Sequence, residues 1–303
     1  QGGPDDYWVG FNNMVLARVA RYRGDFADAE HRYRNTIELQ KRAQGRDNEL
    51  TAIPILGLGR LLYGVGRFEE AEPVLREALD MNLRAKGTAG HFTPRCLHEL
   101  CRVLSLTGKL DEAEKLHRQW LSDCQRDLGP NHAETFNAMT QLAEFLRNGG
   151  RNAEAESFAR MAVEGLRGYD KEKKDLPAHA AKTLACVLSD LGRHEEAVPF
   201  FAEALAGFRN QILVDRMIIP GLQLQYGKCL ANLGRYADAE PLLLASQSTF
   251  ESLPDETDNL ALTALESIIQ LYEEWGKEDQ AVEWRTRLVH AGGRPTGLQR
   301  TNP

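Results

Sequence analysis

The chain has 303 residues, 42% hydrophobic and 27% charged, a mix typical of an ordinary globular protein. Its 44 acids against 37 bases leave a formal net charge of −7, which argues against a dedicated nucleic-acid binder. Apolar runs such as 53–58 fall far short of the roughly 20 residues that span a bilayer. Five cysteines, with no CxxC pair, argue against a disulfide framework and for a reducing compartment, the cytoplasm.

Residues 1–8 read as an N-terminal extension. It opens Gln1-Gly2-Gly3-Pro4 with no initiator Met, so an excised or processed fragment is expected, and Trp8 is expected to plug the N-terminal end. From residue 9 a pattern sets in. Leu16, Ala17 and Ala20 lie on one face of a 3.6-residue helix, Gly24 follows, and Ala29 comes five residues later. The glycine returns at Gly66, Gly108, Gly150, Gly192, Gly234 and Gly276, a strict period of 42. The alanine returns with it, at Ala71, Ala113, Ala155, Ala197, Ala239 and Ala281. Eight before each glycine the later units carry Leu58, Leu100, Leu142, Leu184, Tyr226 and Ile268. The next position stays small (Gly59, Cys101, Ala143, Ala185, Gly227) until Ile269. Leu62, Leu104, Leu146, Leu188, Leu230 and Tyr272 hold the place four before the glycine.

Each unit is therefore predicted to be a helix, a tight turn on a glycine of positive φ, and a second helix. The small residues let the two backbones approach closely. Second helices are expected to stop at Gly45, Gly87 and Gly129, and Pro54, Pro94, Pro130, Pro177 and Pro220 to mark connections. No segment alternates like a strand, so the fold class is all-α. Residues 292–303 read as a polar, disordered tail.

The stretch Leu58-Gly59…Gly66-Arg67-Phe68-Glu69-Glu70-Ala71-Glu72 resembles the tetratricopeptide repeat. The 42-residue period and the joint Leu128-Gly129-Pro130-Asn131-His132-Ala133-Glu134-Thr135 resemble its kinesin-light-chain-like type, found in many bacterial proteins. The resemblance implies a right-handed superhelical solenoid of seven helix-turn-helix repeats over residues 9–291, behaving as one array. The last unit, Leu271-Tyr272-Glu273-Glu274-Trp275-Gly276-Lys277, resembles the closing repeat of tetratricopeptide regions attached to bacterial serine/threonine kinases. Glu278, where four other units carry an aromatic residue or leucine, suits a cap.

For catalysis the sequence offers no HExxH, GxSxG, phosphate loop or dinucleotide fingerprint, so no enzyme, cofactor or metal is expected. His91, Cys96, His98 and Cys101 lie close in sequence but without the spacing of a four-ligand site. Cys101 reads as a stand-in for alanine, and Cys186 as lying on an exposed helix face. Trp120 falls where Ala78, Ala162 and Ala204 stand in other units, so the third repeat should be locally open.

The family resemblance places first helices along a concave surface that binds extended peptides. The outward stripe of each first helix, thirteen, ten, six and three before the glycine, holds eight bases and one acid (Glu144) in the first six units. Acids such as Glu69, Glu70 and Glu72 gather on second helices instead. The candidate partner-binding residues are Arg18, Arg21, Tyr22, Arg60, Tyr63, Arg95, His98, Arg102, Arg147, Lys182 and Lys228. Arg18, Arg60 and Arg102 are related by the repeat, and a guanidinium ladder suits carboxylates or phosphates. The expected function is a scaffold or adaptor binding another protein or peptide, acidic or phosphorylated, with neither membrane nor nucleic acid as partner. The alternative is a regulatory region of a larger bacterial signalling protein such as a serine/threonine kinase, non-catalytic in this stretch. The family's usual Asn-Asn pair is replaced here by Thr140-Gln141, Lys182-Thr183 and Leu224-Gln225, which leaves a folded partner open as well. The oligomeric state is not fixed by the sequence.

Overall fold

The computed structural model describes residues 4–44, 48–90, 92–167, 175–209, 217–252 and 258–291. Among them lie fourteen α-helices and no strand. They are α1 (Pro4–Tyr22), α2 (Phe26–Gln44), α3 (Glu49–Gly64), α4 (Phe68–Lys86), α5 (Thr93–Leu106), α6 (Leu110–Asp127) and α7 (Ala133–Asn148). The rest are α8 (Asn152–Leu166), α9 (Asp175–Asp190), α10 (His194–Arg209), α11 (Ile218–Asn232), α12 (Tyr236–Glu251), α13 (Asp258–Glu274) and α14 (Glu278–His290). One helix pair falls in each 42-residue period, which makes seven helix-turn-helix repeats.

The chain clusters into two compact units, Gln1–Phe145 and Leu146–Pro303, with the division inside α7. In the first unit α1, α3 and α5 pack on α2, α4 and α6, while α2 and α4 also cover the following α3 and α5. In the second, α9, α11 and α13 pack on α10, α12 and α14, and α8, α10 and α12 cover the first helix that follows each.

Every pair is joined by the same backbone device. The repeat glycines all have positive φ, from 71° at Gly234 to 78° at Gly24. The Gly66 N–H donates to the Tyr63 carbonyl at 3.1 Å, and the Arg67 N–H reaches back to the Leu62 carbonyl at 2.9 Å. These are the paired bonds of a Schellman cap, which uses up carbonyls that the end of a helix leaves unsatisfied. The longer bond recurs from Asp25, Lys109, Arg151, Arg193, Arg235 and Lys277, each to the residue five before it, at 2.8–3.0 Å. The same residue's carbonyl then starts the second helix, accepting the N–H of the repeat alanine (Ala71 to Arg67, 3.0 Å).

That alanine has 0% exposure in all seven repeats. It lies against the small residue of the first helix. The Cys101 thiol donates to the Ala113 carbonyl at 3.7 Å, as the alanine-like reading of Cys101 requires. A Cβ on Gly59 or Gly227 would collide with Leu75 or Leu243. In the third repeat Trp120 is buried, at the place where Ala78, Ala162 and Ala204 are buried in other units.

The charged ends of the repeat signature meet across neighbours. Arg67 pairs with Glu30 at 2.5 Å and Lys109 with Glu72 at 2.8 Å in the first unit. Arg193 pairs with Glu156 at 2.7 Å and Lys277 with Glu240 at 3.8 Å in the second. A hydrogen bond from Lys109, the largest influence, and one from Arg76 hold the Glu72 carboxyl below the usual carboxylate range against desolvation. Such part-exposed pairs align neighbours and contribute about 0–1 kcal/mol each.

Two expectations are corrected. Pro54 marks no boundary, because α3 already begins at Glu49, with the Asn48 side chain accepting the Leu50 N–H at 2.9 Å. Trp8 is no plug, since it sits on α1 at 61% exposure, edge-on to Phe11 at 6.3 Å. Gly45 and residues 292–303 lie outside the described residues, whereas Gly87 (φ 61°) and Gly129 (φ 97°) end or follow their helices as expected.

A pair of alanine substitutions tests the turn. Gly66→Ala meets no atom within 4 Å, so its cost is backbone strain alone, about 1–2 kcal/mol in a denaturant titration. Gly221→Ala, equally uncrowded but inside α11, should stabilise by up to about 1 kcal/mol. Equal effects of the two would refute the turn assignment.

Candidate functional site

On α3 and α5 the basic stripe converges on a residue that the stripe pattern leaves out, Glu99. It lies nine before Gly108 and is 7% exposed. Arg60 Nε stands 3.1 Å from Glu99 Oε1, and Arg102 Nη1 donates to Oε2 at 3.0 Å. Arg102 Nη2 also donates to the Tyr63 hydroxyl at 2.8 Å, and its guanidinium carbon lies 4.2 Å from the Tyr63 ring centroid. The Tyr63 ring leans on Phe68 in turn, at 5.7 Å between centroids.

Two guanidinium groups on one carboxylate leave a net charge of one positive unit. The charge-assisted bonds and the cation–π contact fix both arginine side chains in place. Both remain partly open to solvent, at 39% and 43% of the side chain. The cluster can offer planar donors beside a flat ring to a carboxylate or phosphate, at lower potential than a bare pair of arginines.

The structure thus brings together Arg60, Tyr63 and Arg102 among the expected residues. Arg18 is exposed on α1 and Arg21 half-buried, while the Tyr22 side chain lies outside the described residues. Arg95 is exposed and His98 half-buried on α5. In the second unit Arg147 Nε stands 3.6 Å from Asp190, Lys182 is half-buried on α9, and Lys228 is exposed on α11. Glu99 carried a partial signal, since an acid three before an arginine pairs along a helix. Its reach to Arg60 required α3 to lie beside α5.

On α6, His117 is buried at 3% exposure, its ring 5.3 Å from that of Phe145. Desolvation, followed by the neighbouring His98 and against Glu144, pushes its pKa down to about 4. Its Nδ1 and the Trp120 Nε1 are buried with no hydrogen-bond partner. Burial also pushes the Cys96, Cys101 and Cys124 thiols up to about 12. Cys186 is buried, which corrects the expected exposed thiol. At the same repeat position Arg18, Arg102 and Lys228 reach solvent on long stems, which a cysteine lacks. His91 lies outside the described residues, and among those described no three His, Cys, Asp or Glu converge as a metal site. No described helix is long and apolar enough to cross a membrane.

Paired helices locked by glycine caps and small-residue contacts define a helical-repeat protein, with its candidate surface on the first helices. The chain belongs to the tetratricopeptide repeat family, whose models match residues 12–84, 93–168, 134–210 and 178–291. No curated protein matches it. Among solved structures it is similar to a Rap protein complexed with competence and sporulation factor, with TM-score 0.63, 14% identity, and coverage of 96% of this chain and 76% of that one. It is also similar to TPR-like repeats described as a kinesin light chain of Podosopora anserina, with TM-score 0.55, 18% identity, and coverage of 65% and 93%. BtubC (BKLC) from P. vanneervenii aligns with TM-score 0.54, 17% identity, and coverage of 77% and 91%. At these identities the likeness establishes the fold alone, a helical solenoid of tetratricopeptide type.

His117 makes stability sensitive to acid. Its folded pKa, about 4, lies below the unfolded value of about 6.5, so its stabilising effect is complete above pH ~6.5 and fades as pH falls toward 4. Urea titrations should lose on the order of 2 kcal/mol between pH 7.5 and pH 5, and His117→Leu should flatten that slope. An unchanged slope in the variant would remove His117 from the account.

Proposed function

We propose that the chain is a non-catalytic, cytoplasmic interaction scaffold that holds an acidic or phosphorylated segment of another protein on the Arg60–Tyr63–Arg102 surface. The observation that carries this reading is the anchoring of both guanidinium groups on Glu99, which leaves them oriented yet partly open. Arginines fixed before binding lose less side-chain entropy when a ligand arrives. The stripe's composition points the same way, with eight bases to one acid in a chain of net charge −7. Tetratricopeptide repeats serve as interaction modules, and the similar Rap protein carries competence and sporulation factor in its crystal structure.

Fluorescence anisotropy with acidic and phosphorylated peptides tests the reading. Binding should weaken at least tenfold, about 1.4 kcal/mol, in the double variant Arg60→Gln, Arg102→Gln. It should also weaken with added salt, as exposed charge contacts do. Equal affinity of wild type and double variant would remove this surface from the function.

A further inference from the structure

We infer, on the reading of the Arg60–Tyr63–Arg102 surface given above, that the anion it holds is a single phosphoryl group on a partner side chain. Glu99 is then the residue that sets this choice over a run of acidic side chains. The spacing of the bases comes first. In an even ladder Arg18, Arg60 and Arg102 would stand one helix spacing apart, about 8–10 Å, and would meet charges set at intervals along an extended ligand. Two of the three are instead drawn to one point, Arg60 Nε at 3.1 Å from one Glu99 oxygen and Arg102 Nη1 at 3.0 Å from the other. No acid is placed to draw Arg18 onto Arg60 in the same way, because α3 carries Gly57 where α5 carries Glu99. The stripe on these helices therefore has a focus where an even row of charges would have none.

The donors at that focus suit a phosphoryl group. Arg102 places one Nη on Glu99 and the other on the Tyr63 hydroxyl. Among the described residues no acceptor takes its remaining N–H groups or the Tyr63 O–H, and a guanidinium carries five donors in all. A carboxylate has two oxygens, which one guanidinium fork occupies. A phosphoryl group has three, with about two negative charges, and can accept from Arg60, Arg102 and the Tyr63 hydroxyl together. Charge favours it as well. Glu99 is 7% exposed and keeps its two arginine bonds, so the cluster presents one net positive unit. In a given place a dianion gains about twice the attraction of a single carboxylate. Two carboxylates could match it only by crowding at one point, against their own repulsion.

Degenerate peptide pools that differ only in a fixed centre test this by fluorescence anisotropy, the centre being phosphoserine, phosphotyrosine or the charge-matched pair Glu-Glu. A phosphorylated pool should bind the wild-type chain about tenfold more tightly than the Glu-Glu pool. Glu99→Gln, of nearly equal size, should bring the two to within about threefold of each other while both bind more tightly, because a negative charge has gone. A misfolded variant would instead lose both, with its circular dichroism. Equal binding of the phosphorylated and Glu-Glu pools, or a preference that survives Glu99→Gln, would overturn the inference and leave the proposed surface standing. Free O-phosphoserine that binds as tightly as its pool would overturn it too, since the ligand would then be a small molecule. Binding of every pool that ignores Arg60→Gln with Arg102→Gln would remove the surface itself, and this inference with it.

Discussion

Each helix pair depends on a single residue, the one following the repeat glycine. Its N–H closes the first helix by bonding five residues back, and its carbonyl opens the second by accepting from the repeat alanine. Two helix ends, each with unsatisfied backbone groups, are thereby satisfied in one short turn. The turn needs a left-handed residue just before it, and glycine adopts that conformation without steric cost. With the turn fixed, the alanine and the small residue of the first helix must meet, and the helix spacing follows from their size. The strict 42-residue period reflects this: an insertion within a unit would move one of these points off its face.

Charge is organised on two levels. On the second helices, bases that follow a glycine meet glutamates that follow the preceding repeat's alanine, so the signature links neighbours as well as building each repeat. On the first helices, one acid draws two arginines into a cluster with a tyrosine. A buried carboxylate that holds two guanidinium groups lowers the local potential but gives the surface a defined geometry.

The third repeat departs from the pattern in a consistent direction. Trp120 and His117 place polar ring atoms in its core and each leaves a ring nitrogen without a hydrogen-bond partner, while Asn82 adds a buried amide at the end of the preceding repeat. The Asn82 amide donates to the Ala78 carbonyl at 2.9 Å and approaches the Cys96 sulfur at 3.3 Å. Buried polar atoms of this kind cost stability, and this repeat also carries Arg102, His98 and Glu99.

The sequence by itself determined the all-α class, the helix pairs, the left-handed glycines and the buried alanines. Each of these follows from local spacing or from one residue's conformational range. It also placed Arg60, Tyr63 and Arg102 on one stripe. Only the tertiary structure decided what that stripe becomes: Glu99 reaches Arg60 across 39 residues of chain because α3 and α5 lie side by side. Burial was misjudged for the same reason at Cys186 and Trp8. Helical periodicity gives the direction of a side chain, but whether a neighbouring helix covers that direction depends on packing between repeats. Leu16 shows the difference most directly, since it occupies the core position of Leu58 and yet stands open to solvent.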